Sequence, residues 1–289
     1  MKPNAILQAV IFLMLSVSQA FAQDNMQGTS QTFNFDVTST DINFDISQYV
    51  KEGKYYALII GVEDYEDKKF QKLDNPIRDS RKLTEVLQRQ YTFEPENTTI
   101  LKNPKREELI LALQDLAKKV TPSDNVLIFY AGHGTWDEAT ETGYWIPSDA
   151  KNNDFATWIP NSSIREYVKQ IRSRHTLLIA DACFSGSIFK TRGSIASASK
   201  AIQQIYELPS RKAMTSGALK EVPDQSAFIE HLVKRLQTNQ YNYLTAERLF
   251  TRLKENVISN SLNNQIPQYG DIIGAGSEGG DFIFIRRKN

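Results

Sequence analysis

From Tyr55 to Ala180 the chain alternates short, unbroken apolar runs with amphipathic stretches, and this alternation restricts the fold more than anything else in its 289 residues. Tyr55 to Gly61, Val126 to Ala131 and Leu177 to Ala180 are apolar throughout, as strands buried on both faces must be. Thr98 to Leu101 reads as a short strand. Between them, Ile77 to Gln90 carries Leu83, Val86 and Leu87 at helical spacing. Arg106 to Val120, behind Pro104, sets Leu109, Leu113, Leu116 and Val120 on one stripe, and Ser163 to Ile171 reads as another helix. Strand–helix–strand units of this length force parallel neighbours with right-handed crossovers. The expected class is α/β, with a mostly parallel central sheet of about six strands and helices on both faces.

Two segments at the ends of those strands carry chemistry. Tyr130-Ala131-Gly132-His133-Gly134 follows the Val126 run, and Asp181-Ala182-Cys183-Phe184-Ser185-Gly186 follows the Leu177 run. His133 and Cys183 therefore fall just past the carboxyl ends of two buried strands, where parallel sheets present their functional groups. The chain has one cysteine and three histidines. A lone Cys after a strand is commonly a small core residue, and Gly-His-Gly is commonly a turn. Together, with the His ~50 residues upstream, they fit the spacing of a catalytic thiol and imidazole. His175 lies at the far end of the nucleophile's own strand, and His231 lies inside an amphipathic helix beside Leu232 and Val233, so neither is placed to act as the base. No carboxylate that would orient the imidazole is identifiable.

These residues resemble the caspase-like cysteine peptidases, on the bacterial, metacaspase-like side of the family. Asp-x-Cys-x-Ser-Gly at 181–186 differs from the animal-caspase form, which has Gln where this chain has Asp181 and Gly two residues after the nucleophile. Leu73-Asp74-Asn75-Pro76, Met214-Thr215-Ser216-Gly217 and Gly279-Gly280-Asp281-Phe282 extend the likeness over about Tyr55 to Phe284. The resemblance implies the caspase/hemoglobinase fold, a Cys183 nucleophile, a His133 general base and acid, and an oxyanion site made by the amides of Gly134 and Cys183. It also implies a large portion (54–186) and a small portion (213–289) joined by a cleavable linker (187–212). That linker is long, polar and basic, so Lys190, Arg192 and Lys200 are candidate self-cleavage points. Beyond it the pattern gives a strand at Ala213 to Ser216, helices at Ala227 to Leu236 and Thr245 to Ile258, and a last strand at Phe282 to Ile285.

Specificity is expected from two carboxylates. Asp181 precedes Cys183 by two residues and shares its side of an extended strand. Asp79 occupies a place where metacaspase-like enzymes resemble one another in carrying a second pocket Asp; its plainer role is to charge the first turn of its helix. Two acids in one concavity favour Arg or Lys before the cut, so the expected partners are protein or peptide substrates with a basic residue there. The chemistry needs no cofactor. Calcium enters as a candidate through the resemblance, with Asp149 and Asp154 as loop ligands, although their spacing is not that of an EF-hand and a solvated loop is the simpler reading. A catalytically silent caspase-like binding or regulatory module stays open as the alternative function.

The amino-terminal segment, 1–22, has Lys2, an apolar stretch from Ala9 to Val17 and Ala20-Phe21-Ala22, the three regions of a secretory signal peptide cleaved before Gln23. Its apolar core is short for a membrane span, so export, periplasmic or secreted, is expected. Residues 23–53 are polar but place Phe33, Phe35, Val37 and then Ile42, Phe44, Ile46 at alternating positions, as a linker or a strand-like prosegment ahead of the domain at 54–289. Without Lys2 the mature chain has 33 basic and 34 acidic residues, which argues against a nucleic-acid surface.

Overall fold

The computed structural model describes residues 53–182, 205–217, 226–261 and 265–287, and the backbone at 189–190. All belong to the compact unit Phe44–Asn289; the other unit, Met1–Asn43, lies outside the described residues, and with it the signal-peptide reading. The apolar runs form the centre of a seven-stranded sheet. The strands are β1 (Tyr55–Gly61), β2 (Phe93–Lys102), β3 (Asn125–Ala131), β7 (His175–Asp181), β8 (Phe189–Lys190), β9 (Ser210–Thr215) and β11 (Gln268–Ile272). Their order is β2-β1-β3-β7-β9-β11-β8. The first five are mutually parallel, while β11 runs antiparallel to β9 and β8 antiparallel to β11. The sheet is thus mostly parallel and one short edge strand wider than expected.

Alternation along the central strands sorts the core into two layers. Leu127 and Phe129 of β3 and Leu177 and Ile179 of β7 pack on one face with α1 (Pro76–Gln90), α4 (Ala227–Gln237) and α5 (Ala246–Asn260). Ile128, Tyr130, Leu178 and Ala180 pack on the other with α2 (Arg106–Lys119) and α3 (Asn161–Gln170). Each fully buried Leu, Ile or Phe contributes roughly 1.5–3 kcal/mol, so these layers supply most of the driving force.

Two glycines set close approaches that shape the active edge. A Cβ on Gly61 would come 2.9 Å from the Pro76 carbonyl oxygen and 2.8 Å from Ser80 Oγ; its absence lets α1 begin hard against the end of β1. Gly217 has φ +74° just past β9, and a Cβ there would overlap the carbonyl of Ile266.

Three smaller features depart from the sequence reading. β4 (Gly134–Asp137), β5 (Thr142–Trp145) and β6 (Ile159–Pro160) form a separate three-stranded sheet after His133. The last strand, β12 (Ile283–Ile285), pairs with β10 (Tyr243–Thr245) rather than joining the main sheet. Ser210 to Lys212, expected in the linker, open β9, because the Arg211 guanidinium is buried against the carbonyls of Ile171, Ser173, Arg174 and Ser210.

Candidate active site

The carboxyl ends of β1, β3, β7 and β9 line up along one edge of the sheet. His133 follows β3 there, in a turn tied down from several sides. Its N–H donates to Tyr65 Oη at 2.8 Å, its carbonyl accepts from Tyr130 Oη at 2.6 Å and from the Ile146 N–H at 3.2 Å, and Tyr130 stacks on buried Trp145 with ring centroids 4.3 Å apart. The imidazole rests against Tyr65 (4.9 Å) and Phe70 (6.2 Å).

One ring nitrogen is committed. His133 Nε2 lies 2.7 Å from the carbonyl oxygen of Gln71. A carbonyl can only accept, so Nε2 carries the hydrogen and Nδ1 of the neutral ring keeps the free lone pair. The orienting partner that sequence could not supply is therefore a main-chain carbonyl on the β1–α1 loop, invisible as a residue type. That loop is itself fixed: Asn103 Oδ1 accepts from the Glu63 and Asp64 N–H groups at 2.8 and 3.2 Å, and Glu63 Oε1 accepts the N–H of Ile77 at the start of α1. Tyr65, also missed from sequence, bridges loop and turn. Replacing Tyr65 with Phe leaves the His133 N–H without its acceptor, and we expect kcat to fall about tenfold with KM little changed, read by steady-state peptide hydrolysis.

Gly134 opens β4 opposite Trp145. Because the Ile146 N–H bonds to the His133 carbonyl, Gly134 and Trp145 form a non-hydrogen-bonded pair, and that pairing does not consume the Gly134 N–H. Cys183 lies outside the described residues, as do Arg192 and Lys200. The strand that delivers the thiol is described up to Ala182, in register with the strand that delivers His133: Ala131 pairs with Asp181.

Asp79 and Asp181 do come together. Asp181 ends β7 on the α1 side of the sheet, with 7 % of its surface exposed, and Asp79 lies in the first turn of α1 at 8 %. Burial raises the Asp181 pKa from 3.8 to about 7, the hydroxyls of Ser226 and Ser216 pull it back, and the Asp79 charge pushes it up further. These hydroxyls lie near enough to act on the carboxyl, but among the described residues Asp181 Oδ1, Ser216 Oγ and Thr215 Oγ1 reach no partner with hydrogen-bond geometry. Asp79 has ion pairs with Arg78 and Lys82, at 3.5 and 3.4 Å, on the half-exposed outer side of its helix. Buried polar atoms near two acids favour a group that donates hydrogen bonds and carries positive charge.

The remaining candidates are placed elsewhere. His175 is fully buried at the other end of β7, bonded to Ser210 Oγ and the Tyr206 carbonyl, and burial lowers its pKa to about 3. His231 is half-buried on α4, where desolvation lowers its pKa. Asp149 Oδ1 accepts the Arg106 N–H at the start of α2, and Asp154 Oδ1 accepts the Ala156 N–H in a 3₁₀ turn (Phe155–Thr157). No group of three or more His, Cys, Asp or Glu that could hold a metal ion occurs among the described residues. One oxygen of each of these two carboxylates serves as a helix or turn cap. Lys190 pairs through its backbone with Asp271 of β11.

At the carboxyl edge of a mostly parallel α/β sheet, an oriented imidazole thus lies near two carboxylates and the strand that leads to a cysteine. The comparisons narrow the class: the family profile described as "Caspase domain", peptidase C14, matches residues 54–271, and the chain belongs to that family. Among solved structures, it is similar to caspase-1 from Spodoptera frugiperda, with 16 % identity, TM-score 0.55, covering 76 % of this chain and 87 % of the other. It is also similar to protein GSU0716 from Geobacter sulfurreducens, with 16 % identity, TM-score 0.52, covering 79 % and 99 %. At this identity the likeness establishes the fold alone. No curated protein matches the chain.

Proposed function

We propose that the chain is an exported cysteine endopeptidase that cuts polypeptides after Arg or Lys, with Cys183 as nucleophile and His133 as base and acid. The observation that carries the specificity is the buried carboxyl of Asp181, which feels the Asp79 charge and has one oxygen without a partner among the described residues, at the end of the strand that leads directly to Cys183. A guanidinium or ammonium reaching it supplies both positive charge and donors.

The chemistry follows from the held imidazole. His133 Nδ1 takes the Cys183 proton, the thiolate attacks the scissile carbonyl carbon, and an S–C bond forms as the carbonyl becomes an oxyanion. The amides of Gly134 and Cys183 receive that oxyanion. Its collapse breaks the C–N bond, and the His133 Nδ1 proton goes to the departing amine. Water then attacks the thioester, giving its proton to Nδ1, and the thiol leaves with that proton. Throughout, Nε2–H stays on the Gln71 carbonyl, which stabilises the transient imidazolium. No step calls for a cofactor.

An Arg-directed acyloxymethyl ketone tests this reading. Stoichiometric modification of Cys183 is expected; an inert thiol in the folded protein would leave the caspase-like binding module as the better account.

An enzyme with this preference meets its own linker. Lys190 lies in β8, paired to β11, and a bond held in a sheet is a poor substrate. Self-cleavage is therefore expected after Arg192 or Lys200, the two pieces staying together because β9 and β11 lie in the same sheet as β3 and β7. Cys183→Ala should accumulate as one chain under conditions where the wild type splits, with terminal sequencing placing the new ends; a fully active, uncut wild type would show that processing is dispensable.

A further inference from the structure

The His133 ring is the inner end of a row of aromatic side chains that reaches the surface. Tyr65 and Phe70 lie against the imidazole, Phe70 meets Trp158 at 6.5 Å, Trp158 meets Phe155 at 4.7 Å, and Phe155 meets Tyr144 at 5.4 Å. Tyr65 and Trp158 are buried, Phe70 and Tyr144 partly so, and Phe155 is 50 % exposed. Phe155 is not a loose tip. Its turn is closed by Asp154, and the Trp158 indole N–H donates to the Lys151 carbonyl at 2.9 Å, so the ring is carried outward on a fixed support. Isolated exposed aromatics are ordinary, whereas one continuous with a catalytic side chain is a candidate for binding.

The layering of the fold says which part of a ligand would meet this row. Asp79 and Asp181 lie on the face covered by α1 and α4, whereas Tyr65 and Trp158 pack with Leu109 of α2 and Ile164 of α3 on the opposite face. His133 follows β3 at the carboxyl edge, with its ring against Tyr65 and Phe70. A substrate whose basic side chain meets Asp181 has its leaving nitrogen at His133, so the residues after the cut continue past the imidazole toward the α2 and α3 side. We propose that Phe155, backed by Tyr144, Trp158 and Phe70, is a leaving-side subsite that takes an aromatic or large aliphatic side chain of the substrate segment following the cut. The proposal rests on the peptidase reading above. Offset or edge contacts with such a side chain, together with the water they displace, give this row its preference.

The test uses internally quenched peptides that share the sequence up to Arg and carry either Phe and Leu or Ser and Gly at the positions after the cut, with an Arg-aminocoumarin substrate, which has no residue beyond the cut, run beside them. The full-length wild type should favour the Phe/Leu peptides by about tenfold in kcat/KM, Phe155→Ala should bring the ratio near one, and Phe155→Trp should restore it. Equal rates for the two peptide sets in wild type, or an undiminished ratio in Phe155→Ala, overturns the subsite. Because the readout is a ratio within one protein, a general loss of activity cannot imitate it. Hydrolysis of no substrate, the coumarin included, overturns the peptidase reading and the subsite with it. Cleavage behind a non-basic residue overturns only the acidic pocket, and peptides carrying that residue then decide the subsite by the same ratio.

Discussion

Cys183→Ala and His133→Ala should each lower peptide hydrolysis by on the order of a thousandfold or more while leaving the folded protein intact. The size follows from the two groups acting as a unit: without the thiol there is no acyl intermediate, and without the imidazole neither the thiolate nor the protonated leaving amine is supplied. Retention of the fold follows for His133 from its place in a half-exposed turn after β3, where the main-chain bonds to Tyr65, Tyr130 and Ile146 do not involve its ring. Steady-state kcat, circular dichroism and thermal melts on the two variants check this. Near wild-type turnover in either would remove it from the mechanism.

The second large effect belongs to the two acids proposed to set specificity. Asp181→Asn and Asp79→Asn should each reduce kcat/KM for Arg and Lys peptides by about tenfold or more, because a desolvated charge pair with the substrate is lost. The two variants differ in stability. Asp181 titrates near 7 in the fold against an ordinary 3.8, so below the ordinary value both states are protonated and burial carries no ionic penalty. As the pH rises from about 4 toward 7, the unfolded chain ionises while the fold keeps its proton, and stability is lost at about 1.4 kcal/mol per pH unit. Above 7 the full penalty is present. Asp181→Asn should therefore melt higher than the wild type at pH 8 and about equally at pH 4, even as it loses its preference for basic residues. For the same reason, a competitive inhibitor such as benzamidine should bind the wild type more tightly as the pH rises through about 7, when Asp181 acquires its charge, and this dependence should be absent in Asp181→Asn. Cavities that hold an unpaired acid for a ligand are often built at a cost in stability, and these opposite responses are its expected sign.

How far the sequence could be read varied with how each segment is buried. β1, β3 and β7 are covered on both faces and so are written as unbroken apolar runs, and the helices Pro76–Gln90 and Arg106–Lys119 show one clear stripe each. β2 lies at the sheet edge, and its first half, with Glu94, Pro95 and Glu96, has too little buried surface to leave a pattern; only Thr98 to Leu101 was legible. β11, with Gly270 and Asp271, and the four-residue strands after His133 are defined by pairing with neighbours distant in sequence or by turns, not by their own composition. The sequence pattern opens β9 three residues late, at Ala213 instead of Ser210, because Arg211, a charged residue that sequence assigns to water, is buried with its donors on carbonyls.

The site divides along similar lines. His133, Gly134, Asp79 and Asp181 become candidates by residue type and position relative to strand ends. The Gln71 carbonyl cannot, since every residue has one and only the path of the β1–α1 loop selects it. Tyr65 looks in sequence like one more core aromatic, and it is one, with its hydroxyl turned to the main chain of His133. The serines at 216 and 226 beside Asp181 become neighbours only when β9 and the start of α4 close around the end of β7.

The central claim is that a thiol–imidazole peptidase in this caspase-family fold reads a basic side chain through Asp181 and Asp79. A positional scan of fluorogenic tetrapeptides on the purified protein, varying the residue before the cut, tests it most directly. Hydrolysis dominated by Arg and Lys is expected, abolished in Cys183→Ala and shifted away from basic residues in Asp181→Asn. Preferential cleavage after Asp would contradict it.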